Sequence, residues 1–357
     1  MLLRRRAVAW PLFAVAGACI VYCAAWIAAA FIVQDQAARW VERQRADGLL
    51  IAHGDPLLGG FPGLVIAIYP GWEMSAPITH GGWTWRTAAV RLKARPWSPL
   101  TFTVDLAGRH TLAGAWTPPG VAAWIMAAQA DIKPVLTTEA RVAEISLALK
   151  DLTIAERADA APVFSLARGN FRVAKSPPEP EQENPIWRLE LDAARVGLAN
   201  GAKLGPFASR LEAARLVADL VGPVTAGPLP TAVEAWRRAG GTIEVRDFFL
   251  EWAPLSVSAS GTLSVDERLQ PIGAVTAKFR GFFETVDALT TQGLVRSTQA
   301  SMAKVMLGLL ARTPEGGGAP ELNLAVTLQD RKLYTGPVAL MDMPEIEWPA
   351  QLMVPEP

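Results

Sequence analysis

Two places in this sequence set catalytic residue types at a catalytic spacing: His80-Gly81-Gly82, and Ser301 with Lys304. A His-Gly-Gly loop supplies oxyanion-hole amides in some lipases and esterases, but those enzymes carry their serine on a G-x-S-x-G turn between strand and helix. No G-x-S-x-G occurs here, so the loop reads as a glycine turn ahead of a strand at Trp83. Ser301 and Lys304 have the S-x-x-K spacing of penicillin-binding proteins, which on a helix puts hydroxyl and amine on one face. The companion S-D-N and K-T-G elements are missing, and the pair reads as a solvated polar face. The three histidines, His53, His80 and His110, have no second histidine or acidic residue at three- or four-residue spacing on a predictable helix, which argues against a metal site. There is neither a G-x-G-x-x-G nor a Walker loop. The expectation is a protein that is not an enzyme, with no cofactor and no metal.

Both cysteines, Cys19 and Cys23, fall in the first apolar stretch. The rest of the chain therefore has no disulfide framework and no cysteine-based zinc or redox site, and an apolar core must stabilise it. Basic and acidic side chains number 34 each, and Arg4, Arg5 and Arg6 cluster at the start, so the remainder is slightly acidic. That excludes the concentrated basic face that nucleic acid requires. Of the 13 tryptophans, Trp72, Trp83, Trp85, Trp97, Trp116 and Trp124 crowd one stretch. Such rings can staple a thin core. Trp72, Trp83 and Trp85 are also candidate lipid-facing aromatics, since an amphipathic ring is favoured at a membrane interface.

The elements that position these residues begin with an anchor. From Ala7 to Val33 no side chain carries a charge, a run longer than the roughly 20 apolar residues that cross a bilayer. The sequence thus divides into a cytoplasmic tail (1–6), a transmembrane helix (7–33), a polar juxtamembrane helix (34–48) and a periplasmic β-rich body (49–357). The arginine cluster favours a cytoplasmic N-terminus, although Arg39, Arg43 and Arg45 lie beyond the helix among Asp35, Glu42 and Asp47. Ala28-Ala29-Ala30 offers a signal-peptide cleavage site, but signal peptides carry a shorter apolar region of about 7–15 residues, so a retained single-pass anchor is expected.

In the body, period-two alternation recurs: Val90/Leu92, Leu100/Phe102/Val104/Leu106, Ile145/Leu147/Leu149, Trp187/Leu189/Leu191, Ile243/Val245, Leu255/Val257/Ala259 and Leu322/Leu324/Val326/Leu328, each against polar partners. Clean alternation predicts antiparallel strands with one solvated face. Helices are predicted at Pro119–Ala130, from the spacing of Val121, Trp124 and Ile125, and at Pro230–Ala239, which ends on Arg237, Arg238 and then Gly240-Gly241. A third helical region spans Phe282–Ala311. Its second half carries Met302, Val305, Met306, Leu309 and Leu310 at three- and four-residue steps, a candidate apolar binding face that is nonetheless expected to pack on the protein's own sheet. Loops are predicted at Ser176–Pro185 and Thr313–Pro320; the first, rich in Pro and Glu, would separate halves 49–176 and 186–357.

Several phrases in order resemble the bacterial family called domain of unknown function 2125, membrane-anchored periplasmic proteins of Gram-negative bacteria. They are Gly60-Phe61-Pro62; Trp236-Arg237-Arg238-Ala239-Gly240-Gly241 before Ile243-Glu244-Val245; Gly261-Thr262-Leu263-Ser264-Val265-Asp266 with Pro271-Ile272-Gly273; and Tyr334-Thr335-Gly336-Pro337 before Met343-Pro344. Arg331-Lys332 departs from the glycine-containing turn the family would use. The glycine-and-proline hairpin also resembles repeats of AsmA-type envelope proteins, which build curved β-sheets with an apolar groove for lipid. The fold class implied is mainly β (α+β): a transmembrane helix, then an elongated, curved, mostly antiparallel sheet with a few packed helices. The functional expectation is an inner-membrane protein of cell-envelope biogenesis that binds or conveys lipid along that groove. The alternative is a periplasmic scaffold for another envelope protein.

Overall fold

A computed structural model describes residues 3–77, 82–114, 122–136, 142–176, 186–198, 207, 209–225, 229–313, 317–346 and 348. The chain is mainly β with antiparallel ladders, and divides into two compact units: Met1–Ile145 with Glu156–Ala160, and Ser146–Ala155 with Ala161–Pro357. The division does not fall at the Pro/Glu-rich stretch. Residues 177–185 lie outside the described residues, but Ser176 and Ile186 on either side of them are paired, so the two strands they join are neighbours in one sheet.

The first unit holds α1 (Leu3–Ala46), β1 (Leu50–Ala52), β2 (Leu57–Gly59), β3 (Val65–Ala76), β4 (Trp83–Arg95), β5 (Ser98–Asp105), β6 (Gly108–Ala113), β7 (Ala123–Ala127) and β8 (Gln129–Leu136). Its centre is the β3–β4 ladder, running from Val65 opposite Ala94 to Ala76 opposite Trp83. β1 and β2 pair with opposite ends of β3, and β5 and β6 share the far edge of β4. Of the helix expected at Pro119–Ala130, residues 119–121 lie outside the described residues and the rest is mostly strand: Ile125 lies opposite His110 and Trp124 opposite Thr111. The two residues belong to adjacent, oppositely directed positions of β7, and the open edge of β6 satisfies backbone groups that a short helix would have left to its own turns.

α1 is one unbroken helix with no change at residue 33, where a junction between spanning and juxtamembrane segments was expected. Trp26, Ala29, Ala30, Val33 and Val41 recur at helical steps and bury against Ile51, Val65, Ala67, Tyr69, Trp72, Val90 and Ala94. The alanines let helix and sheet approach closely. Gly48, with positive φ, ends the helix as its amide reaches Arg45 and that of Leu49 reaches Gln44. The last half of α1 thus lies along β3. Tyr22 and Trp26 touch the chain just before Val65, the Trp40 and Trp72 rings meet at 6.4 Å, and Arg45 donates to the Ile51 carbonyl at 2.7 Å.

The second unit takes in most of β9 (Val142–Ala155) and then β10 (Phe164–Ser176), β11 (Ile186–Leu198), β12 (Arg210–Val221), α2 (Leu229–Arg238), β13 (Thr242–Trp252), β14 (Leu255–Val265), β15 (Pro271–Arg280), α3 (Phe282–Thr291), α4 (Ser297–Leu310), β16 (Leu322–Gln329), β17 (Lys332–Thr335) and β18 (Val338–Asp342). From β10 to β18 each strand pairs antiparallel with the next, a meander interrupted only by its helices. α2 has the expected stop: Gly240 at φ 74 turns the chain, and Trp236, Arg237 and the two glycines close its last turn. Two loops explain other phrases of the sequence. The Asp266 carboxylate accepts the Arg268 and Gln270 amides at 2.8 Å, capping the β14–β15 turn from within rather than only solvating it. Asp330 and Arg331 form the β16–β17 turn with φ of 50° and 58°, left-handed conformations that glycine or asparagine would adopt more cheaply.

Candidate functional site

The residues with catalytic spacing are tied into the fold. The Ser301 hydroxyl donates to the Ser297 carbonyl one turn back, and Lys304 pairs with Asp287 of α3. His80 and Gly81 lie outside the described residues. His110 is buried, stacked on Trp85, with Nε2 bonded to the Leu106 carbonyl at 2.7 Å; burial pushes its pKa down, against that hydrogen bond, and favours the neutral ring. Among the described residues no cluster of three histidine, cysteine or acidic side chains could hold a metal ion.

The most buried charge is Asp219 on β12, about 1% exposed. Arg188 across the ladder grips it through two bonds, 2.8 and 3.0 Å, and Arg246 adds a third at 3.0 Å. The Arg188 hydrogen bond, helped by Arg246 and opposed by burial, holds this carboxylate below its ordinary range. Three strands are thereby locked in register, and three of the carboxylate's roughly four acceptor positions are taken up within the sheet. A hollow beside it in sequence order, lined by Phe249, Ser256, Ser258, Lys278, Arg280 and Glu321, is polar and unsuited to an acyl chain.

Apolar surface lies elsewhere. Met302, Val305, Met306, Leu309 and Leu310 of α4 are between 59% and 81% exposed, overturning the expectation that this stripe packs on the sheet. The helical period was right and the buried face was not. α4 turns Ala300, which is buried, and the half-buried Ala303, Lys304 and Leu307 toward the protein, because small side chains and the Lys304–Asp287 pair allow closer docking on α3 than five long apolar ones.

A second apolar surface surrounds the point where α1 leaves the sheet. Tyr22 donates to the Pro62 carbonyl and Trp26 Nε1 to the Gly63 carbonyl at 3.2 Å, while the Phe61 ring stands edge-on to Trp26 at 5.5 Å. Leu57, Leu58, Phe61 and Leu64 are exposed around this contact, and Trp97 and Leu100, which follow Ala94, are exposed at the same end of the ladder. Trp72, Trp83 and Trp85 lie toward the other end, opposite Thr87, Ala76 and Met74. Trp72 is buried, stacked on His53, and so is a core ring, not an open lipid-facing one. Of the aromatics at the exit, Trp97 belongs to the crowded tryptophans of the sequence, whereas Tyr22, Trp26 and Phe61 do not. For Phe61 the signal is the absence of any charge from Pro56 to Trp72.

α1 is long and apolar enough to cross a membrane. Residues 26–344 match the family described as an uncharacterized protein conserved in bacteria, DUF2125. Neither a curated protein nor a solved structure matches the chain.

Proposed function

Since the chain belongs to the DUF2125 family, we propose that it is a permanently tethered, non-enzymatic protein of the cell envelope: α1 crosses the inner membrane with its N-terminus in the cytoplasm, the body stands in the periplasm, and the exposed face of α4 receives the acyl chains of a lipid. The observation that carries the tether is that α1 is also core. Cleavage after Ala30 would strip Trp26, Ala29 and Ala30 from the buried cluster that holds β3 and β4. The part of α1 preceding that cluster, residues 7–25, is by itself about 28 Å long, close to a hydrocarbon core. Lipid as the ligand is supported by an apolar helix face that the protein leaves uncovered, with methionines that adapt to irregular shapes.

Three measurements test this reading. The intact mass of protein purified from membranes retains the residues before Ala30; a product beginning after it overturns the tether. A reporter active only in the periplasm works when fused after Pro357, and an active cytoplasmic reporter at that site overturns the topology. A photoreactive amino acid at Leu309, irradiated in cells, yields an adduct of phospholipid mass. A protein adduct there replaces lipid conveyance with the scaffold reading.

A further inference from the structure

α1 carries its first charge after the arginine cluster at Asp35. The Gly60–Leu64 turn is fastened to Tyr22 and Trp26, nine or more residues earlier, which on a helix is about 13 Å or more toward the N-terminus. A membrane occupied by the uncharged stretch of α1 therefore reaches past the level of this turn. The outward side of α1 remains apolar there, since Ile20, Val21, Ile27 and Phe31 are all exposed.

The turn is built for such a place. Its own surroundings carry no charge from Pro56 to Trp72. Gly60 has a φ of 96°, and a Cβ there would lie 2.0 Å from the Leu64 carbonyl oxygen, so the chain doubles back tightly and presents Leu57, Leu58, Phe61 and Leu64 outward. Two of its carbonyls, which would be costly if left bare in hydrocarbon, accept the hydroxyl and indole protons of Tyr22 and Trp26. The Gly63 amide is bonded to the Gly60 carbonyl at 2.7 Å. At the same end of the ladder, Trp97 is 73% exposed and Arg95 lies two residues before it in sequence, an amphipathic ring and a cation of the kinds suited to the headgroup level.

We infer that the Leu57–Leu64 segment, with Trp97 at its flank, is immersed in the periplasmic leaflet of the bilayer that α1 crosses, giving the first unit a second, monotopic grip on the membrane. The occupant of this surface is bilayer lipid, because the patch is continuous with the lipid-exposed side of the helix. The inference rests on the reading of α1 as membrane-spanning, and the experiment separates the two. Full-length protein with Cys19 and Cys23 replaced by alanine is given single spin labels at Val15→Cys, Phe61→Cys, Trp97→Cys or Arg86→Cys and placed in vesicles of phosphatidylethanolamine and phosphatidylglycerol. Accessibility to oxygen, which concentrates in hydrocarbon, is compared with accessibility to a water-soluble nickel chelate. The Phe61 label resembles Val15, with high oxygen and low nickel access; Arg86 shows the reverse, and Trp97, whose removal disturbs no core, falls between them. A Phe61 label as open to nickel as Arg86, with Val15 still shielded, overturns the immersed turn and leaves the anchor standing. A Val15 label open to nickel overturns the anchor itself. Phe61 shielded from both reagents means that a protein covers the turn, which also overturns the inference.

Discussion

Replacing Gly241 by alanine tests how the Trp236-Arg237-Arg238-Ala239-Gly240-Gly241 phrase works. Gly241 does not have positive φ, so its backbone accepts alanine; the difficulty is space. A Cβ there would stand 2.2 Å from Trp236 Cε2 and 2.4 Å from Nε1, whereas carbons at rest sit about 3.5–4.0 Å apart. The ring would have to retreat by more than about 1 Å, enough to break the 2.9 Å bond from Nε1 to the Val221 carbonyl. Overpacking of this kind costs about 1–3 kcal/mol, and an orphaned buried donor about 1–3 kcal/mol more. Gly241→Ala should therefore destabilise the second unit by about 2–6 kcal/mol, a fall of roughly 5–20 °C in its melting temperature. Trp236→Ala alone should cost about 3–5 kcal/mol. The decisive measurement is the double variant, followed by circular dichroism of the full chain in detergent. With the indole gone the three atoms nearest the added methyl are gone too, so Gly241→Ala in that background should change stability by no more than about 0.5 kcal/mol. Additive losses would refute the argument that Gly241 is glycine because the indole lies on it.

Leu309→Asp should leave stability within about 0.5 kcal/mol of wild type, because its side chain is 81% exposed, while Val326→Asp, which places a charge in the core of β16, should cost several kcal/mol; equal falls in melting temperature would restore α4 to the core. Asp330→Asn with Arg331→Gly should raise stability by about 1 kcal/mol, relief of two left-handed residues outweighing the exposed Arg331–Glu345 pair, and a lower melting temperature would count against this turn geometry. Glu234 is held at about pKa 2 against an ordinary 4.5, chiefly by the Arg237 hydrogen bond with Arg238 assisting against desolvation. The charge-dependent stabilisation is complete above about pH 4.5 and disappears as pH falls toward 2, so the advantage of wild type over Glu234→Gln should narrow across that window; an advantage unchanged by pH would remove the ion pairs as its cause.

Local signals were legible where packing and propensity agree. β16 alternates buried Leu322 and Val326 with solvated Asn323 and Thr327 as its residues suggest, and α2 starts and stops at its proline, arginines and glycines. Direction and partnership were not. The spacing of Val121, Trp124 and Ile125 fits a helix equally well, and only the free edge of β6 decides for strand. In α4 the period predicts a stripe, but small residues and one ion pair choose the opposite face for docking. The crowding of tryptophan includes Trp97, but the exit of α1 from the sheet also selects Tyr22, Trp26 and Phe61, as many as 75 positions away in sequence. No single window of the chain holds them together.

The helix proposed as tether is also the strip that covers β3, and α1 is unbroken between its apolar first half and that strip. Most tethered domains hang on a leash and sample a hemisphere above the bilayer, at a local concentration set by linker length. With α1 spanning the membrane as proposed, the first unit inherits the tilt and azimuth of that helix. Turning the helix by one residue swings that unit about 100° around the membrane normal, so a residue inserted between Ala25 and the Trp26 contact would redirect the sheet without loosening it. Orientation, more than reach, is what such an attachment controls.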